Sequence, residues 1–253
     1  MKNWHLFSRK AKKTEEKWNV KTMFGGSLSF ATAEAYKSLR TNLKFSFPDD
    51  GQGKIIGVTS AVQSEGKSTT ACNVAYALAE GQDKVILVEA DLRRPTVATK
   101  LSIARRPGLT NMLVSRESGE EVVQQSPHAP KVDIICSGDV PPNPSELLGS
   151  ERMAEVLSEL RKKYNYIIVD LPPVTVVSDA VAISKSLDGV VVVVREDASD
   201  RKLLAEAMRQ LNMAGVRILG FVYRSAEDSS KRYGYGKYKR YGYYYYAYKS
   251  KNQ

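Results

Sequence analysis

Eight consecutive residues, Ala61-Val-Gln-Ser-Glu-Gly-Lys-Ser68, have the composition and spacing of a loop that wraps phosphate. Backbone N–H groups from Ser64, Glu65, Gly66, Lys67, Ser68 and Thr69 would converge on a β-phosphate at a helix N-terminus, where the helix dipole also favours an anion. Gly66 carries no Cβ where backbone and phosphate approach. Lys67 brings a cation to the β- and γ-phosphates from a loop expected to be exposed. The Ser68 hydroxyl is a hard oxygen for Mg²⁺. The chemistry implied is binding a nucleotide and transferring its terminal phosphoryl group, with ATP and Mg²⁺ as cofactors.

Two acidic sites follow apolar runs. Val85-Ile-Leu-Val leads into Glu89 and Asp91, and Tyr166-Ile-Ile-Val leads into Asp170. Ligands of open α/β sheets bind at the carboxyl ends of strands, so the three carboxylates are expected beside Lys67 and Ser68. A Ser hydroxyl with one or two carboxylates suits Mg²⁺, which takes hard oxygens and keeps several waters.

The possible acceptor lies far along the chain. Nine of the fourteen tyrosines cluster near the C-terminus: Tyr233, Tyr235, Tyr238, Tyr241, Tyr243, Tyr244, Tyr245, Tyr246 and Tyr248. A phenol of pKa ~10 is protonated at neutral pH. A carboxylate near its hydroxyl, with the γ-phosphate charge neutralised, would make it a nucleophile. Lys231, Arg232, Lys237, Lys239, Arg240 and Lys249 are interleaved with the phenols and would draw the segment toward bound ATP.

The elements that must position these groups follow from the hydrophobic pattern. Residues 55–58, 85–88, 132–135, 166–169, 190–194 and 218–222 read as short apolar strands. Helical periodicity covers residues 31–45 and 66–80, then the stripe Met153, Val156, Leu157, Leu160, Tyr164 and the stripe Leu203, Leu204, Ala207, Met208, Leu211. Such alternation implies an α/β fold, a P-loop NTPase with a mostly parallel central sheet and helices on both faces. The phosphate loop then falls between a strand and a helix, the context it needs. Residues 141–144, Pro-Pro-Asn-Pro, read as a rigid surface loop.

The chain of 253 residues suffices for one large α/β domain. Its net charge of +10 is uneven: +5 in residues 1–21, +7 in residues 231–253 and −2 between them. Residues 1–30 read as a basic flexible segment, 31–224 as the P-loop domain and 225–253 as a disordered basic tail, too poor in aliphatic residues to bury a core. No run approaches the ~20 apolar residues of a membrane span. Two cysteines, Cys72 and Cys136, make no disulfide framework and read as small core residues; His5 and His128 suggest no metal site.

The succession A-x4-G-K-S-T, V-I-L-V-E-A-D-L-R-R-P and Y-I-I-V-D-L-P-P, ahead of a tyrosine cluster, resembles the bacterial protein-tyrosine kinases, a MinD/ParA-like class of P-loop proteins that regulates capsular and extracellular polysaccharide synthesis and export. The likeness extends to Glu34-Ala-Tyr-Lys-Ser-Leu-Arg-Thr-Asn42, to Ser137-Gly-Asp-Val-Pro-Pro-Asn-Pro-Ser-Glu-Leu-Leu148 and to Ser178-Asp-Ala180. It makes residues 31–224 a kinase domain. It implies a magnesium site of Ser68, Asp91 and Asp170, and catalytic roles for Lys67, Glu89 and Asp91, with Glu89 the candidate to accept the tyrosine proton. It implies autophosphorylation of the tyrosine cluster in trans, within a ring-like homo-oligomer joined through Glu34, Lys37 and Arg40. The partners it implies are a membrane adaptor of the polysaccharide co-polymerase type and a protein-tyrosine phosphatase. The location is cytoplasmic, at the inner face of the cell membrane through the adaptor.

Three positions depart from the pattern. Glu89 replaces an Asp, Gln63-Ser64 replaces Pro-Gly, and Arg224 replaces an Asn beside the adenine, which places Arg224 among the nucleotide-binding candidates. Two other readings compete. A MinD/ParA-type ATPase would carry a lysine where this chain has Val62. Tyrosines among basic residues also form a stacking platform for single-stranded nucleic acid; the phosphate-loop set argues against it, and no nucleic-acid partner is expected.

Overall fold

The structure, a computed structural model, describes residues 28–115, 119–126, 129–196 and 198–225. Its strands are β1 Lys54–Ser60, β2 Val85–Glu89, β3 Gln124–Ser126, β4 Ala129–Ile135, β5 Tyr166–Asp170, β6 Gly189–Arg195 and β7 Ile218–Arg224. They form one sheet in the order β3-β4-β2-β5-β1-β6-β7. Only β3 on β4 is antiparallel. Helix α1 Phe30–Phe45 precedes β1. Parallel neighbours need crossover connections, and these run through α2 Lys67–Glu80, α3 Val97–Leu101, α4 Leu109–Val114, α5 Gly119–Val122, α6 Pro144–Leu148, α7 Glu151–Lys163, α8 Asp179–Ala182 and α9 Arg201–Met213.

The six strands read from the sequence are all present, and so are the four long helices. The pattern did not announce β3, of three residues, or the short helices α3 to α6 and α8, of four to six residues. One turn of helix is too short to show a 3.6-residue period. Residues 141–144, read as a loop, end in α6: Pro144 opens that helix, where its missing N–H is not needed.

Strand β1 is buried along its whole length, and alternate residues serve opposite faces. Ile55 joins a core with Met153, Val156, Leu157 and Leu160 of α7 and with Ala207 and Leu211 of α9. Ile56 and Val58 join a second core with Leu43 of α1 and with Ala71, Val74, Ala75 and Leu78 of α2. Helix α2 lies between the sheet and α1, and so only Tyr76 and Glu80 escape full burial. Cys72 and Cys136 are free and buried, as their apolar neighbours required.

Candidate active site

Strand β1 ends at Ser60 and α2 begins at Lys67; residues 61–66 make the turn between them. Gly66 caps the helix at φ 91°, a left-handed conformation that side chains resist. Ser64 adopts φ 65°, so the Ser in place of the usual Gly takes on a strain of roughly 1 kcal/mol. Contacts from three sides hold the loop in this shape. Glu65 is fully buried; its Oε2 accepts the Val62 N–H at 2.9 Å and its Oε1 accepts the Ser199 hydroxyl. Arg195 Nη1 donates to the Ser64 carbonyl at 3.2 Å. Arg94 Nη1 donates to Gln63 Oε1 at 2.7 Å. Glu65 thus shapes the loop through its side chain, in addition to any backbone contact with phosphate.

Lys67 is buried rather than exposed. Its Nζ lies 2.6 Å from Asp91 Oδ2 and 3.6 Å from Asp170 Oδ1, and it donates to the Ser68 hydroxyl at 3.3 Å. Burial works to lower its pKa, but Asp170 and Asp91 outweigh burial and hold it above the ordinary lysine value. Asp91 is also nearly buried, and its Oδ1 accepts the Arg94 N–H at 3.0 Å. Asp170 is fully buried. Neither of its oxygens accepts a well-formed hydrogen bond among the described residues, although Lys67 and the Ser68 hydroxyl are near enough to favour its ionised form. Burial dominates, and its pKa is raised. Strands β2, β5 and β1 are neighbours, so their carboxyl ends bring Asp91, Asp170 and the loop together.

Glu89 behaves differently. It stands in register with Asp170 on the next strand and is fully buried. Its Oε1 accepts the N–H groups of Thr96 and Val97 at 2.5 and 2.6 Å, and its Oε2 accepts the Ser137 N–H at 3.1 Å. Burial pushes its pKa up, against these three bonds. A carboxylate so enclosed fixes the start of α3 and the chain after β4; it presents no free face to an incoming hydroxyl. The proton-acceptor role expected for Glu89 therefore has no support in this geometry, and Asp91 is the carboxylate that directly pairs with Lys67.

A family model described as AAA domain matches residues 53–212. The tyrosine-protein kinase YwqD of Bacillus subtilis is 37% identical over 212 residues, covering 84% of this chain and 86% of its own. This chain belongs to the bacterial tyrosine-protein kinase family. The putative tyrosine-protein kinase EpsB of Ralstonia nicotianae is 36% identical across 86% of the chain, which spans 29% of that longer protein. The solved kinase domain of the Escherichia coli tyrosine kinase ETK superposes with a TM-score of 0.73 at 32% identity, covering 81% of this chain and 80% of that one.

In this kinase chain, Arg224 ends β7 with its guanidinium against Gly66: a Cβ on that glycine would land on it. Ser68 and Thr69 occupy the buried first turn of α2. Residues 233–248, with all nine candidate tyrosines, lie outside the described residues. On α1, Glu34 and Lys37 form an exposed ion pair of 2.8 Å. Arg40 does not share that face freely, because its Nη1 donates to the Ala77 carbonyl of α2 at 3.0 Å. Among the described residues no three His, Cys, Asp or Glu side chains form a ready metal cage. A groove of about 590 Å³ lies at the amino ends of β2 and β4, against Lys84, Lys131 and Tyr164, away from this chemistry.

Three groups near the site escaped the sequence reading. Arg93 makes a bidentate pair with the fully buried Asp179, Nε to Oδ2 at 2.9 Å and Nη2 to Oδ1 at 3.1 Å, and Ser145 also donates to that carboxylate. Lys100 of α3 is buried within electrostatic reach of Asp170, Lys67 and Arg224. Burial lowers its pKa. Ser199 links Glu65 to the β6–α9 turn. A lysine inside the apolar Val97-Ala-Thr-Lys-Leu101 stretch was a visible signal; the partners of Arg93 and Ser199 are distant in sequence and were not.

Proposed function

We propose that this chain is a Mg²⁺-dependent protein-tyrosine kinase that moves the γ-phosphoryl group of ATP to tyrosine hydroxyls, including those of its own cluster at 233–248. The observation that carries the reading is Lys67 held between Asp91 and Asp170 at the carboxyl ends of adjoining parallel strands. Family membership supports it.

The donors present fit magnesium. Asp170 has two buried oxygens without a hydrogen bond, Ser68 is adjacent, and Mg²⁺ needs only one or two protein carboxylates because phosphates and waters complete its shell. Ser68, Asp91 and Asp170 would hold it; when bound it would neutralise phosphate charge and align the reacting oxygens. To reach phosphate, Lys67 must leave the two carboxylates that now hold it, which opens Asp91 Oδ2. The tyrosine oxygen then bonds to the γ-phosphorus as the bond to the β-phosphate oxygen breaks. ADP departs with that electron pair. The phenolic proton passes to water, because Asp91 Oδ1 accepts the Arg94 N–H and its Oδ2 would serve Mg²⁺. The remaining catalytic work is positioning and charge stabilisation, which the fixed loop and Lys67 provide.

The segment from residue 224 to 248 spans at most ~80 Å extended and ~27 Å as a coil. Both lengths reach a site in the same chain or in a neighbour. The family pattern supports transfer in trans, in a ring-like homo-oligomer using Glu34, Lys37 and Arg40. It also supports a regulatory role in capsular or extracellular polysaccharide synthesis and export, a membrane adaptor at the inner face of the cell membrane, and reversal by a phosphatase. Residues 1–30 and 225–253 flank the domain as basic segments.

Intact-mass spectrometry of the full chain with and without Mg·ATP tests the central claim. Steps of one phosphate that map to residues 233–248 are expected. A protein whose mass stays fixed, while a tyrosine-rich substrate added alongside also remains unmodified, is not this enzyme.

A further inference from the structure

Arg224 is the departure from the family pattern that reaches the phosphate loop from another strand. Its guanidinium packs on Gly66, the residue that caps α2, so closely that any Cβ there would collide with it. The site is an odd one for an unneutralised cation. The amino end of a fourteen-residue helix is positive, and the first turn of α2 has no acidic residue to offset it. Arg195, in register with Arg224 on the neighbouring strand, already donates to the Ser64 carbonyl. Asp91 and Asp170 hold Lys67, and the carboxylate of Glu65, next to Gly66, is taken by the Val62 N–H and the Ser199 hydroxyl. Among the described residues the Arg224 guanidinium has no ion pair, while its backbone carbonyl is fixed by the Glu196 N–H at 3.0 Å. Donors are therefore in excess on this side of the loop, and across the site the buried Asp170 lacks hydrogen bonds. Both imbalances are relieved together by a polyanion that brings a divalent cation with it.

We propose that Arg224 binds the phosphate chain of the nucleotide rather than its base, so that this kinase holds ATP and other nucleoside triphosphates through charge and reads the adenine weakly at this position. The inference rests on the site being a nucleotide site and assigns Arg224 its part in it. A guanidinium offers five donors in a fork that matches phosphate oxygens. An asparagine in its place is short and neutral, suited to a base edge. Root and tip of the side chain are both fixed: the backbone by the sheet, the guanidinium by the loop glycine. Arg224 also sits two residues before the undescribed C-terminal segment begins, so the same residue joins the phosphate loop to the root of the tyrosine-bearing chain.

The test measures displacement of a fluorescent ADP analogue from the full chain by ATP, GTP and inorganic tripolyphosphate, for wild type, Arg224→Gln and Arg224→Lys. Far-UV circular dichroism confirms folding. Arg224→Gln should weaken all three competitors by a common factor of about ten, the size of one charge-assisted hydrogen bond at a half-exposed site. Arg224→Lys should restore part of the loss, since it keeps the charge and loses the fork. The wild-type preference for ATP over GTP should survive both changes. A loss confined to ATP would make Arg224 a base reader and overturn the inference. Unchanged or tighter binding of tripolyphosphate would make the contact a mere plug and overturn it as well. A wild-type protein that holds no nucleotide would instead remove the nucleotide site itself, a failure distinguishable from the other two.

Discussion

Lys67 and Asp170 set function against stability within one contact. Burial raises the Asp170 pKa more than Lys67 and Ser68 lower it. The native state therefore holds that proton more tightly than the unfolded chain does. Stability falls as pH rises from the unfolded aspartate pKa through the raised native one, and the penalty is complete above it. Asp170→Asn should remove the penalty: at pH 7 the variant should melt above wild type. The gain should shrink as pH falls, while Mg²⁺-dependent nucleotide binding is lost. Melting curves at several pH values, with titrations of Mg·ATP, check both halves; a variant that melts lower than wild type at pH 7 would show the anion to be well accommodated. Lys67→Met should abolish phosphotransfer and also cost about 3 kcal/mol, because Asp91 and Asp170 lose their counter-ion. Glu89→Gln should turn an amide N–H₂ toward a backbone N–H and cost about 1–3 kcal/mol, with turnover at low temperature within a few-fold of wild type. A 10²-fold or greater fall in turnover at unchanged Tm would restore Glu89 as the base.

Helix α1 presents two different faces. One face ties it to α2 through Arg40 to the Ala77 carbonyl and Asn73 Nδ2 to the Tyr36 hydroxyl at 3.3 Å, and to the turn after α2 through Lys44 to Asp83 at 2.7 Å. The other carries the exposed Glu34–Lys37 pair, and such pairs contribute only ~0–0.5 kcal/mol to a monomer. Replacing Glu34 and Lys37 by Ala should leave the Tm of the isolated domain within a degree or two. The same change should shift the unphosphorylated protein to smaller species by light scattering if this face is an interface. Arg40→Ala, in contrast, should lower Tm, because it also unpins α1 from the last turn of α2. Equal light-scattering mass for wild type and the Glu34/Lys37 variant would make the pair a solvated surface. A second tie works the same way between elements: Arg93, just after β2, reaches Asp179 of α8 and Ser145 of α6, so the chain that carries Asp91 is fixed from the far side of the sheet's edge.

At the scale of the whole molecule, the proposed phosphorylation of the tyrosine cluster would act through charge. Residues 231–253 carry +7, and each phosphotyrosine adds about −1.5 to −2 near pH 7. About four phosphates would neutralise the segment and nine would make it strongly anionic, repelled by ATP and by Asp91 and Asp170. Assembly should then follow the number of phosphates. Single Tyr→Phe changes should do little, and replacing most of the cluster should hold the assembled state. Size-exclusion chromatography across a graded phosphorylation series at fixed salt checks this; one tyrosine that alone controls assembly would contradict charge counting.

The sequence by itself determined the fold class and the chemistry, because both are written in local signals. Continuous apolar strands alternating with helical stripes leave a covered parallel sheet as the solution, and the spacing Ala61 to Ser68 defines a phosphate loop without reference to the rest of the chain. Ser68, Asp91 and Asp170 could be named because strands of a parallel sheet end on one edge. What those side chains do once there was decided by tertiary structure. Glu89 and Asp91 are two residues apart and leave the same strand, yet one is enclosed by the N–H groups of Thr96, Val97 and Ser137 and the other meets Lys67. Nothing in a local pattern separates them; the difference lies in where α3 and the turn after β4 happen to pass. Arg224 is the same case from the other end of the chain: its type was legible and its strand was legible, but its place on Gly66 follows only from β7 lying two strands from β1. Spacing along a chain fixes which groups share an edge, and packing in three dimensions fixes which of them keeps a free lone pair or a free donor.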